Sequence, residues 1–104
     1  MNLEYNLIFL AEAELELKAL ITRYNIIQEG LGDKVYEEIL KNLDYLKTMP
    51  FISPKKYKNT RILYTKKYKM AVYYIVFEEE MTVLVYSFLH QKEDPKKVFN
   101  RISF

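Results

Sequence analysis

Histidine is the side-chain type that titrates near neutral pH and so serves proton transfer, and this chain has one, His90. It falls at the predicted end of the last strand, where a side chain can project from a sheet rim and act as a general acid or base. A half-exposed histidine hydrogen-bonded to the turn before Asp94-Pro95 explains the same position. Cationic chemistry is concentrated elsewhere. Residues 1–50 carry five Lys/Arg against nine Asp/Glu, a balance of −4, and residues 51–104 carry eleven against five, +6. Lys55 to Lys69 holds seven basic residues and no acidic one, which creates a local positive field toward polyanions or an acidic partner. The same lysines also suit a sheet edge that must resist pairing with another edge. On an alternating strand Arg61 shares a face with Lys67, and Lys66 lies on the opposite face. Arg61 is one of three arginines among sixteen basic residues. Its planar guanidinium suits bidentate anion binding, or a salt bridge to the acidic helical half.

Other chemistries lack their residues. Without cysteine there is no thiol nucleophile, disulfide scaffold, zinc ribbon or redox motif. A single histidine leaves no His-based metal cluster. No Ser-centred elbow or nucleotide fingerprint is present, and the Gly30-Leu31-Gly32-Asp33 segment is too short for a phosphate-binding loop. No cofactor and no metal are expected. Glu12, Glu14 and Glu16 fall around a helix and Glu78-Glu79-Glu80 is a turn, so neither forms a catalytic carboxylate pair. Ten tyrosines and six phenylalanines can stack bases beside lysines, but most are accounted for by a core and by strand pairing. Tyr73 and Tyr74 point to opposite faces of one strand, so one of them is expected to leave the core.

The elements that position these residues follow from hydrophobic period. Leu3 to Leu10 reads as a strand. From residue 11 to 29, good helix formers carry Ala13, Leu17, Leu20, Tyr24 and Ile27 at steps of three and four, and Gly30 supplies the stop signal. Gly32 or Asp33 would cap a second helix, 33–48, with Val35, Ile39, Leu43 and Leu46 on one face and Pro50 at its exit. So short a connection makes an antiparallel helix hairpin. After Pro54 the period becomes two, and Arg61–Tyr68, Met70–Glu78 and Met81–His90 read as an antiparallel meander. Asp94-Pro95 opens a short helix, 95–102. The fold class is therefore α+β, in the order β-α-α-β-β-β plus a short C-terminal helix. The hairpin packs on one face of a small, mainly antiparallel sheet, and the other face stays partly open.

One hundred and four residues make a single domain, 1–104, large enough to bury a core unaided. Half the residues are hydrophobic and 29% are charged, which argues against disorder. The longest apolar run, ending at Phe77, is far short of the about 20 residues that span a bilayer. The opening MNLEYNLIFL lacks a basic segment and a small-residue cleavage site, so a cytoplasmic protein without membrane attachment is expected.

In this order and spacing, Gln28-Glu29-Gly30-Leu31-Gly32-Asp33, Pro50, Arg61, Val72-Tyr73-Tyr74, Val85, Phe88, His90 and Asp94-Pro95 resemble the RelE/ParE superfamily of small bacterial toxins, the ParE-like branch in particular. Two positions depart from that branch: Tyr68-Lys69-Met70 replaces a Phe-Pro-Tyr-like element, and Glu93 replaces an arginine. The resemblance implies a type II toxin that inhibits growth, serves plasmid stabilisation and is neutralised by a cognate antitoxin, as a homodimer or a toxin–antitoxin heterotetramer. ParE-like members poison DNA gyrase by binding. RelE-like members cut mRNA on the ribosome, using the 2′-hydroxyl as nucleophile, for which His90, Arg61, Lys66 and Lys67 are the residue types available here. A degenerate, non-toxic interaction module is the third alternative. The motifs fit the gyrase branch better. Arg61, Lys66, Lys67, Lys69, Tyr74 and His90 form the expected surface for target or antitoxin.

Overall fold

A computed structural model describes residues 3–102. The elements run β1 (Asn6–Phe9), α1 (Ala11–Ile27), α2 (Leu31–Thr48), β2 (Lys55–Tyr57), β3 (Thr60–Tyr64), β4 (Met70–Phe77), β5 (Thr82–His90) and α3 (Lys96–Phe99). The five strands make one sheet in the order β1-β5-β4-β3-β2. β1 runs parallel to β5, and every other pairing is antiparallel.

The helix hairpin covers one face. Val35, Ile39, Leu43 and Leu46, the predicted α2 stripe, are all buried, with Ala13 and Leu20 of α1, against Met70, Val72, Tyr74, Val83, Val85 and Phe88. Each such side chain contributes about 1.5–3 kcal/mol on full burial, so this stripe is what holds the hairpin to the sheet. Ile27, assigned to the same face of α1, is instead 67% exposed, because the helix ends there beyond the sheet.

The opposite face is less open than its sequence suggests. Ile62, Ala71, Tyr73, Ile75, Tyr86, Leu89 and Val98 form a second buried cluster, with Phe99 and Ile102 packed against it. The short C-terminal helix supplies that cover. β4 is therefore buried on both faces, which explains its unbroken apolar run and why Tyr73 and Tyr74 are both in the core, at 2% and 0% exposure.

Several boundaries differ from the sequence reading. α1 stops at Ile27 with Gln28 as its C-cap. Gly30, at φ 84°, is the N-cap of α2 rather than the stop of α1, and α2 starts at Leu31. Gly32 and Asp33 are thus inside the first turn and cap nothing. β3 ends at Tyr64, not Tyr68, because Thr65–Lys69 folds as a tight turn: the Thr65 N–H donates to the Met70 carbonyl at 2.8 Å, and Lys69 is left-handed at φ 58°. The three-residue edge strand β2, whose residues are all exposed, has no buried face to impose a period and was not anticipated. α3 spans only Lys96–Phe99, and Arg101 beyond it is drawn back to α1.

That return contact seals a sheet edge. β1 leaves β5 after the Phe9–Val85 pair, and β5 bulges at Tyr86, between the Tyr73–Ser87 and Tyr74–Val85 pairs. Polar groups on this stretch of β5 then need other partners. Glu16 of α1 accepts the Phe88 N–H at 3.2 Å and the Ser87 hydroxyl at 2.9 Å, and Arg101 donates to the Tyr86 carbonyl at 3.2 Å. Arg101 and Glu16 join in a bidentate pair, both bonds 2.9 Å, and the bond to Glu16 raises the guanidinium pKa.

Candidate functional site

The basic segment is shaped by its turn. In Thr65–Lys69 the Thr65 hydroxyl accepts the Met70 N–H at 2.8 Å. Glu38, from the middle of α2, accepts the Lys67 N–H at 2.7 Å and the Tyr68 N–H at 3.0 Å. One carboxylate thus satisfies two successive backbone donors and pins the turn to α2, leaving the Lys66 and Lys67 side chains exposed. The Lys67 ammonium lies over the Tyr68 ring, 5.4 Å from its centre, a cation–π contact that keeps this charge beside the turn. Partial burial alone would push the Glu38 pKa up, but the bonds from Lys67 and Tyr68 outweigh it and hold the carboxyl below its usual 4.5.

The sign of that shift predicts acid sensitivity. A carboxyl lowered on folding stabilises fully above its unfolded pKa, and the contribution is lost as pH falls through the folded value. Amide resonances of Lys67 and Tyr68 are expected to move together on acidification with a midpoint below 4.5, and Glu38→Gln should abolish that transition. A shared midpoint at or above the usual value contradicts the anchoring role.

Beside this turn lies a groove of about 720 Å³ between α2 and β3. Its α2 wall carries Lys34, Glu37, Glu38, Lys41 and Tyr45, its far lip Lys66, Lys67 and Tyr68, and Ile52, Leu63 and Tyr64 complete the lining. Lys34 and Lys41 fall on one face of α2, two turns apart. Neither is among the residues that charge along the sequence points to, because the dense Lys55–Lys69 run overshadows sparse lysines on a helix that also carries acids. The seven-residue spacing was the available signal.

The sequence-derived site residues do not come together in one place. Lys66, Lys67 and Lys69 share the β3–β4 turn. His90, paired with Met70 across β4 and β5, is at the same end of the sheet, and the Gln91 N–H donates to the Lys69 carbonyl at 2.8 Å. The His90 Nδ1 accepts the Lys92 N–H at 3.1 Å, so the histidine is tied into the following turn. Glu93, the residue that departs from the ParE-like pattern, takes part in that turn: it accepts the His90 N–H at 2.9 Å and the Lys97 ammonium at 3.2 Å. Partial burial raises its pKa, and these bonds prevail to lower it.

Arg61 and Tyr74 lie elsewhere. They face each other across β3 and β4, four residues along β4 from the Met70–His90 pair, which puts the Arg61 and His90 backbones about 16 Å apart from strand spacing and rise. Arg61 donates to the Ser53 carbonyl at 2.6 Å and lies 5.0 Å from the Phe51 ring centre. The Tyr74 hydroxyl donates to the Pro50 carbonyl at 2.9 Å. Burial pushes the Tyr74 phenol pKa up, against smaller opposing effects of Ser53 and Arg61. Together these two side chains hold the loop after α2. Tyr74, expected on the interaction surface, is wholly buried and serves the fold.

Among the described residues no group of three His, Cys, Asp or Glu is arranged to hold a metal ion, and no helix is long and apolar enough to cross a membrane.

No family model matches the chain, and no curated protein matches it in sequence. Solved structures do match. A chain of the chromosomal ParDE TA system from P. aeruginosa superposes with a TM-score of 0.72 at 13% identity, over 83% of this chain and 95% of that one. A mutant of the E. coli toxin RelE in the free state gives a TM-score of 0.72 at 21% identity, over 96% and 99%. A chain of the intact E. coli RelBE toxin-antitoxin complex gives 0.66 at 21% identity, over 86% and 99%. The fold is that of RelE and ParE, over essentially the whole length of these neighbours, as the sequence motifs implied.

Proposed function

We propose that this chain, built on the RelE/ParE fold, is the toxin component of a type II toxin–antitoxin system, acts in the cytoplasm, and arrests growth by binding DNA gyrase rather than by cutting RNA. The fold it shares with the ParDE and RelBE proteins supports the toxin role. The choice of mechanism rests on the dispersal of the candidate catalytic groups. Arg61 is committed to the Ser53 carbonyl, and about 16 Å of sheet separates it from His90. An in-line RNA cleavage needs its base and its phosphate-binding cations around one scissile bond. The exposed lysines of the β3–β4 turn suit binding a large anionic or acidic surface instead.

A second reading, ribosome-dependent mRNA cleavage, draws on the contact between Gln91 and Lys69, which places Lys69 beside His90 at one end of the sheet. One paired assay separates the two. The purified protein is expected to block supercoiling by gyrase without cutting mRNA in a translating extract, and His90→Ala should leave growth arrest intact. mRNA cleavage that His90→Ala slows by a hundredfold or so would move the assignment to the nuclease. Expression without growth arrest, and with no small neighbouring gene whose product binds the chain, would reject the toxin role itself.

A further inference from the structure

We propose that the outer edge of β1 is a self-association surface, on which a second copy of this chain pairs antiparallel about a two-fold axis through Ile8. The sheet has two outer strands, β1 and β2, and only β2 is protected. It carries Lys55 and Lys56, is irregular between Lys55 and Tyr57, and runs into Lys58 at φ 50°. These devices keep an edge from pairing. β1 has no lysine, no proline and no bulge. It shows water an apolar side chain instead, Ile8 at 49% exposure. An open groove of about 650 Å³ lies between β1 and α2, walled by Tyr5, Leu7, Phe9, Leu40 and Leu43. A bare apolar edge of this kind marks a place that another strand covers.

Backbone direction and charge choose the occupant. The Asn6 N–H donates to the Met81 carbonyl at 2.8 Å and the Leu10 N–H to the Val85 carbonyl at 3.0 Å, so Asn6, Ile8 and Leu10 turn their amides toward β5. Alternation sends the amides and carbonyls of Leu7 and Phe9 outward. The Tyr5 N–H, next in that outward series, is taken by the Lys47 carbonyl at 2.8 Å, and beyond Leu10 the chain enters α1. What remains is symmetric about Ile8. A two-fold axis there sets Leu7 against Phe9 of the second copy and Phe9 against Leu7 of the second copy, so that every outward group of these residues is hydrogen-bonded in both copies. Moving the axis to Leu7 would need the Tyr5 amide, and moving it to Phe9 would need the helical Ala11. In the register centred on Ile8 the two isoleucines meet at the closer, non-hydrogen-bonded spacing, and the Leu7 and Phe9 side chains lie on the hairpin side beside Leu40. Identical charges face each other around a two-fold axis, so a self-pairing strand must be neutral there. Tyr5 to Leu10 is uncharged, whereas β2 would bring lysine against lysine. That neutrality favours a second copy over a charged segment of another protein.

The inference uses neither toxicity nor a target, so its test and the growth and gyrase assays above fail independently. Sedimentation equilibrium of the full chain should show a reversible monomer–dimer exchange between about 1 µM and 1 mM. Ile8→Lys and Ile8→Glu each put like charges at the axis and should each weaken the dimer by about tenfold or more. Mixed together the two variants should pair again, because opposite charges then meet. Ile26→Lys changes an apolar residue of α1 that is 80% exposed, and should dimerise as the wild type does. Hydrogen exchange of the wild type gives a readout that no variant's folding can confound. The Leu7 and Phe9 amides should gain protection as concentration rises, while those of Asn6, Ile8 and Leu10, bonded to β5, stay protected throughout. A chain that remains a monomer over this range, a dimer whose Leu7 and Phe9 amides exchange freely, or folded Ile8 variants that dimerise unimpaired or stay apart when mixed would each overturn the proposal.

Discussion

Replacing Gly32 with alanine should destabilise the protein by about 3 kcal/mol, lowering its melting temperature by roughly 15 °C for a domain of this size. Gly32 lies in the first turn of α2, close against the backbone of α1. A Cβ there would come 2.1 Å from the Ile21 carbonyl oxygen and 2.8 Å from the Asn25 side chain. The Ile21 oxygen belongs to a helix backbone and cannot swing aside, so the hairpin must open. The move also pulls apart the hydrogen bond from the Gly32 N–H to Asn25 Oδ1, 2.7 Å, in which α1 provides the cap for an otherwise unpaired first-turn donor of α2. Gly30 is the natural control. Its φ of 84° strains any other residue, yet a Cβ there meets nothing within 4 Å, so Gly30→Ala should cost only about 1–2 kcal/mol. Urea unfolding of the two variants tests the ranking. A smaller loss for Gly32→Ala than for Gly30→Ala would disprove the close helix approach.

The second large effect is expected at Glu16 and Arg101. Both side chains are about four-fifths buried, at 20% and 22% exposure, and the carboxylate receives Arg101, the Ser87 hydroxyl and the Phe88 amide together. Glu16→Ala strips all of these of their acceptor and leaves the guanidinium unpaired in a poorly solvated place, a loss of about 3 kcal/mol. Arg101→Ala leaves Glu16 its two β5 donors and should cost about 2 kcal/mol. Because the two residues act as one unit, the double variant should lose less than the sum of the singles, with a coupling of about 1–2 kcal/mol. A denaturant double-mutant cycle measures it. Additive losses would mean that the bidentate pair does not hold the C-terminal segment. Limited proteolysis gives an independent view, since cutting beyond α3 should accelerate in either single variant.

The amino-acid sequence by itself determined what local periodicity can carry. The α2 stripe Val35, Ile39, Leu43 and Leu46 repeats at the helical step and is buried as read, and Pro50 follows the end of that helix. The charged tip at Glu78–Glu80 and the short helix that follows Asp94-Pro95 are likewise written in neighbouring residues. The family motifs added the fold, because their order along the chain reflects one topology. Tertiary structure decided the rest, for one physical reason: the deciding partners are far apart in the chain, and periodicity reports only which side of an element is apolar, not what it meets. Tyr73 and Tyr74 alternate as if one must face water, but α3 returns to cover the second face of the sheet and both are buried. The strand from Arg61 looks continuous to Tyr68, but Glu38, some 30 residues earlier in α2, captures the amides of Lys67 and Tyr68 and folds the end into a turn. Arg61 looks free for an anion until the loop after α2 offers it the Ser53 carbonyl. Gly32 resembles a turn glycine until the Ile21 carbonyl of α1 occupies the space of its missing side chain. Lys34, Lys41, Lys66 and Lys67 line one groove only because the packing of the hairpin on the sheet brings the α2 wall and the β3–β4 turn face to face.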